Sequence, residues 1–177
     1  MGASPRSTSA KFNAKSRAAA TATVGQTMGG TYSDLLCHVV FSTKNRLPLI
    51  SDLLEPSLHE YMGGVVRGQG ATLVEVGGMS DHVHLLLRLR PTHCMATLMR
   101  ELKSGTSKWV NSEKWKLRKF GWQDGYGVFS VSRSQVTRVQ RYIQQQRRHH
   151  RRTDFKTEFL ELLKRHEVHY DERHLWK

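Results

Sequence analysis

From residue 31 onward the apolar positions switch repeatedly between a period of two and a period near 3.6, the signatures of strands and amphipathic helices. The run SDLLCHVVFSTK reads as a first strand, and SDLLEPSLHEYMGGVVRGQG as a helix that starts at a Ser/Asp cap and ends in glycines. ATLVEVGGMSDHVHLLLRLR reads as two strands joined by a Gly-Gly turn, which puts His82 and His84 at the start of the second. Met95, Leu98, Met99, Leu102 and Trp109 then recur at helical spacing, with Arg100, Lys103 and Lys108 off that stripe. Residues 111 to 125 are an irregular connection, VFSVS is a short fourth strand, and Ser134 caps a helix over QVTRVQRYIQQQRRHHRR. A final helix covers about 155 to 166. The order β-α-β-β-α-β followed by helices predicts an α+β domain over residues 31–177: a ferredoxin-like or RRM-like antiparallel sheet with helices packed on it, and Tyr142 on a C-terminal helix.

Composition adds a tail and a partner. Residues 1–30 contain no acidic residue and much Ala, Ser and Thr, too little apolar surface to offset the entropy of ordering. They are expected to form a disordered basic tail. Their composition resembles an organelle transit peptide; a basic arm lying on nucleic acid, or an upstream start with Met28 as the natural initiator, fits equally well. Arg6 stands where a myristoylation signal wants Ser or Thr. Across the chain, 28 Lys plus Arg against 15 Asp plus Glu leave a net charge of +13. A folded protein so basic points first to a polyanion, because Lys and Arg on phosphates release condensed counterions. Cys37 and Cys94 lie far apart in no metal-type spacing, so neither a disulfide framework nor a zinc finger is implied. With no apolar run long enough for a membrane span, a soluble cytoplasmic protein without a membrane partner is expected.

His82 and His84 are two apart in a strand, so their imidazoles stand on one face roughly 7 Å apart. Two nitrogens are an incomplete metal set, since catalytic divalent ions usually take three protein ligands. Along the helix after residue 134 the apolar stripe is Val136, Val139 and Ile143, and Tyr142, Gln146 and His150 line one edge of it. A metal held by the histidines and the Gln146 carbonyl oxygen would sit beside the Tyr142 phenol. On spacing alone a plainer reading competes: hydrogen-bonded histidines, a flanking tyrosine and a solvated glutamine. Asp81 either orients a histidine or caps the turn. Lys44, Arg46, Lys103, Lys108, Arg147 and His150 are candidate phosphate contacts, and Trp122 and Tyr126 either stack on unpaired bases or pack in the core.

The series HVVFSTKNRLPLI, GGMSDHVHLLLRL, LKSGTSKW, FGWQDGYGVFSVSRSQV, RYIQQQRRHHRR and HEVHYDERHLW, in that order, resembles the single-tyrosine HUH transposases of the IS-200/IS-605 insertion-sequence family. The resemblance implies that His82 and His84 fill the metal motif, that Tyr142 is the nucleophile and that Gln146 completes the metal site. It implies a homodimer that cuts and rejoins single-stranded DNA near imperfect hairpins, with magnesium or manganese and no organic cofactor, in the bacterial cytoplasm at the nucleoid. Attack by the phenol on a phosphate would leave a 5′-phosphotyrosine and a free 3′-hydroxyl, and the retained ester lets another 3′-hydroxyl reverse the step. Magnesium prefers oxygen ligands and two imidazoles favour manganese, cobalt or zinc, so the metal stays open. A second reading is a domesticated relative that binds hairpins in repeated DNA and cuts rarely. A histidine-triad hydrolase would want another His at position 86, where Leu86 stands.

Overall fold

The computed structural model describes residues 32–112 and 119–176. The expectations for residues 1–30, and part of the connection at 111–125, lie outside them. The chain forms β1 (Leu35–Ser42), α1 (Glu55–Gly68), β2 (Thr72–Met79), β3 (His82–Leu89), α2 (Met95–Ser112), β4 (Gly127–Ser130), α3 (Val136–Gln144), α4 (Gln146–His149), α5 (Phe155–Arg165) and α6 (Glu172–Leu175). The four strands pair antiparallel in the order β2-β3-β1-β4. With β1 and β3 central, this is the ferredoxin-like arrangement that the element order predicts.

Strand parity decides what each face of the sheet carries. Val39 and Phe41 of β1 and Val83, Leu85 and Leu87 of β3 join Leu58 and Met62 of α1 and Leu98 and Leu102 of α2 in one core. The residues between them point to the opposite face. There Leu36 and Leu86 pack against Ile143 of α3, and Val40 packs against Phe155, Leu162 and Leu163 of α5. Helices therefore cover both faces, which explains why LLL in β3 is a continuous apolar run instead of an alternating one. Register sets Val40 opposite His84 and Ser42 opposite His82, so both histidines lie on the second face, under the C-terminal helices.

Several local expectations are corrected. Gly77 and Gly78 lie within β2, and the hairpin turns at Ser80 and Asp81 instead. Gly77 is small for the sake of a neighbour: a Cβ there would sit 2.6 Å from the backbone oxygen of Ile143. Its absence lets α3 lie directly on the strand. Ser134 does not cap the following helix; its hydroxyl bonds Ser132, and α3 starts behind a 3-10 turn over Arg133–Gln135. The helix expected to run unbroken to about residue 150 is interrupted at Gln145, whose N–H is shared between the carbonyls of Arg141 and Tyr142. This tightened turn re-aims the chain and brings Gln146 into the interior.

Candidate active site

His82 and His84 are fully buried, and each has its Nδ1 engaged. His82 Nδ1 lies 2.7 Å from the Asp81 carboxylate, and His84 Nδ1 lies 3.0 Å from Nε2 of the buried His38. Asp81 can only accept, so the proton of a neutral His82 sits on Nδ1 and its Nε2 offers a lone pair. That Nε2 faces Gln146 Oε1 at 3.3 Å and Glu158 Oε2 at 3.6 Å, both of them acceptors. A cation, either a further proton or a metal ion, would satisfy the lone pairs so placed. Burial draws the His84 pKa down to about 4, against the pull of Glu158, and that of His38 to about 3. A neutral imidazole can ligate a metal ion through its free ring nitrogen.

Glu158 is the centre of the site. Its carboxylate is buried, and its two oxygens divide the surroundings between them. Oε1 accepts from the Tyr142 hydroxyl and from Gln146 Nε2 at 3.0 Å. Oε2 lies 3.0 Å from His150 Nε2 and 3.3 Å from His84 Nε2. Burial alone would raise its pKa; hydrogen bonds from His150 and His84 outweigh that and hold the carboxyl far below its ordinary range. Burial, then the charge of Glu158, pushes the Tyr142 phenol well above its ordinary value. Donor atoms of His82, His84, His150 and Glu158 all lie within 4.8 Å of one another. These residues fit a divalent ion of the manganese or zinc type by donor chemistry.

Of the residues singled out in the sequence, His82, His84, Tyr142 and Gln146 come together in one chain. The proposed phosphate contacts fare differently. His150 is turned inward onto Glu158, with a side chain only 6% exposed. The break at Gln145 swings it there. Lys103 is half-buried, donating to the carbonyls of Gln123 at 2.5 Å and Gly125 at 2.7 Å, so it anchors a loop instead of facing solvent. Arg147 pairs with Asp52 and Glu55, a charge already neutralised. Lys44 sits 3.4 Å from Asp124, Arg46 lies over the Trp176 ring, and Lys108 is exposed. Trp122 is core, its Nε1–H donating to Thr106.

Sequence reading missed Glu158 and His38. Both left a signal: Phe155, Phe159 and Leu162 make an apolar stripe on which Glu158 falls, and His38 shares the parity of Leu36 and Val40. A charged or imidazole group at a core position needs partners. Two basic clefts reach the site. One, of about 550 Å³, is lined by Tyr142, Gln145, Arg148, His149, Arg151 and Arg152. The other, of about 520 Å³, includes Arg46, Asp81, His150, Arg151 and Phe155.

A sequence profile of the family described as "Transposase IS200 like" matches residues 31–146. The chain belongs to that family. The family is one of DNA-cleaving and strand-transferring enzymes, and this IS200-like chain is a transposase by membership. It is 24% identical over 114 residues to the ISDra2 transposase TnpA of Deinococcus radiodurans, covering 62% of this chain and 81% of that protein. A crystal structure of a transposase from Deinococcus radiodurans R1 superposes with a TM-score of 0.56 at 25% identity, covering 69% of this chain and 98% of that one. The same fold occurs in a REP-associated tyrosine transposase bound to a REP hairpin, with a TM-score of 0.54 at 14% identity, over 71% of this chain and 74% of that one. The family match ends at Gln146, so His150 and Glu158 lie beyond it.

Proposed function

We propose that this chain cleaves and rejoins single-stranded DNA with Tyr142 as the nucleophile, at a site where His82, His84 and Gln146 hold a divalent ion, magnesium or manganese. The observation that carries the reading is that the Tyr142 hydroxyl and the two strand histidines converge on one buried carboxylate, Glu158. Bound there, an ion would polarise a scissile phosphate and offset the charge that develops on it.

The chain's own residues do the rest. Asp81 and His38 fix the two imidazoles so that each Nε2 points inward. Glu158 aims the Tyr142 oxygen and keeps the phenol protonated until substrate arrives. Attack forms a bond from the Tyr142 oxygen to phosphorus and breaks the bond to the 3′-oxygen, giving a 5′-phosphotyrosine and a 3′-hydroxyl. A 3′-hydroxyl from another strand reverses the step. Arg148, Arg151 and Arg152 line the cleft that leads to Tyr142 and supply cations for the phosphates on either side. A hairpin near the cut is the substrate we favour, in line with the REP hairpin held by the relative of the same fold. A homodimer would serve to hold two DNA ends, and the place of action is the nucleoid of the bacterial cytoplasm. Among the described residues no helix is long and apolar enough to cross a membrane.

The test is a denaturing gel of wild type and Tyr142→Phe incubated with labelled single-stranded DNA from the gene's flanks, with manganese, magnesium or chelator. A metal-dependent covalent band that vanishes in Tyr142→Phe is the expected result. Tight DNA binding with no such band from the wild type would favour a hairpin-binding relative that has given up cutting.

A further inference from the structure

We propose that Glu158 and His150, contributed by the segment beyond the family-matched residues, are themselves metal ligands, and that the Glu158 carboxylate joins the ion to the nucleophile, one oxygen on each. This rests on the reading of Tyr142 and the strand histidines as a strand-transfer site, and adds two ligands to it.

The geometry separates the two oxygens of Glu158 by task. Oε2 faces three imidazole nitrogens: His150 at 3.0 Å, His84 at 3.3 Å and His82 at 3.6 Å. Oε1 faces the phenol of Tyr142 and the amide of Gln146, with His149 Nε2 farther out at 3.6 Å. One donor atom from each of His82, His84, His150 and Glu158 makes a four-donor set no wider than 4.8 Å. Donors around an ion with bonds of about 2.1 Å lie about 3.4 Å apart in a tetrahedron and about 4.2 Å apart when trans in an octahedron, so the widest pair would close by about 0.6 to 1.4 Å. His84 Nε2 is buried with Glu158 Oε2 at 3.3 Å but without well-aligned hydrogen-bond geometry, so the lone pair of a neutral imidazole there is open to a cation. Three elements converge to build the set. Strand β3 supplies two imidazoles from one face, the break at Gln145 turns His150 inward, and the first turns of α5 lay Glu158 over them, with the Phe155 ring 4.7 Å from that of His82. Gln146 keeps its place as a fifth donor: its Nε2 donates to Oε1 of Glu158 and leaves its own Oε1 facing the His82 Nε2.

If the carboxylate only filled the core, a neutral isostere would leave metal affinity alone. Manganese binding to the full chain is therefore measured by equilibrium titration for wild type, Glu158→Gln, His150→Gln, His82→Ala and Tyr142→Phe, with no DNA present. Glu158→Gln is expected to weaken manganese binding by more than about 100-fold, beyond the roughly 10–100-fold that loss of an outer-shell partner costs, and His150→Gln to weaken it at least about tenfold and to remove one coordinated nitrogen. Pulsed electron paramagnetic resonance on wild type loaded with manganese is expected to count three coordinated imidazole nitrogens, and needs no variant to fold. Two nitrogens, or unchanged manganese affinity in folded Glu158→Gln while His82→Ala loses it, would overturn this assignment and leave the strand-transfer reading intact. Full manganese binding by His82→Ala together with a covalent DNA band from Tyr142→Phe would overturn both.

Discussion

A histidine that no substrate touches can still govern the site. His38 stands diagonally across from His84 on β1, and its Nε2 is the group against which the His84 ring is set. Replacing it with Phe keeps an aromatic ring, a slightly larger one, and removes the hydrogen bond. The expected result for His38→Phe is a folded protein whose manganese affinity falls 10–100-fold, as for other partners of metal-bound imidazoles, read by the same titration. An unchanged affinity would mean that packing alone sets the ring. Lys103 makes the converse point. Its ammonium is spent on the carbonyls of Gln123 and Gly125, and burial lowers its pKa, a poor situation for gripping DNA. Lys103→Met should cost about 1–3 kcal/mol in urea unfolding, since two carbonyls lose their donor, while the salt dependence of DNA binding stays as in wild type. Arg152→Ala, at the mouth of both clefts, should instead reduce the salt slope by about one. A slope change in Lys103→Met would return that lysine to the DNA-binding face.

Among the elements, the strands and the first two helices were legible because their apolar periods are regular and because parity in β3 puts His82 and His84 on one side whatever the neighbours do. The spacing of Tyr142 and Gln146 was legible for the same reason. The break between α3 and α4 was not. Residues 144–146 are all glutamine, with no Pro or Gly to mark a boundary, and the turn is set by tertiary burial of Gln146. The role of α5 was hidden because a Glu among Lys and Glu residues reads as solvent-facing until its stripe is drawn, and the stripe has no meaning before the helix has a sheet to lie on. Gly77 is where these elements meet. A methyl group there would press on the Ile143 carbonyl one residue from Tyr142 and lift α3 from β2. Gly77→Ala is expected to destabilise by about 1–3 kcal/mol and, by displacing the nucleophile, to slow formation of the covalent DNA band on the order of 100-fold. A thermal melt and a single-turnover time course on the same preparation check the two effects. Full activity after a stability loss of that size would show that α3 yields without moving Tyr142.

At the scale of the whole molecule, the question is whether one chain suffices for the chemistry. The strand histidines, His38, Asp81, Tyr142, Gln146, His150 and Glu158 are linked to one another by contacts within a single chain. The short path from α3 through the turn at Gln145 to α5 leaves Tyr142 bonded to Glu158, sixteen residues on, so exchange of the tyrosine helix between copies would have to break that bond and the Ile143 packing together. In a homodimer the alternative is that one copy lends its tyrosine to the other. Mixing experiments separate the two. A sample of Tyr142→Phe and one of His82→Ala are each inactive on the present reading, and after joint unfolding and refolding any mixed dimer would carry one intact site only if the tyrosine crossed over. Assembly within one chain predicts that the mixture forms no covalent DNA band above either variant alone. A band recovered to a substantial fraction of wild type would place Tyr142 in its partner's site and make dimer formation a condition of cutting.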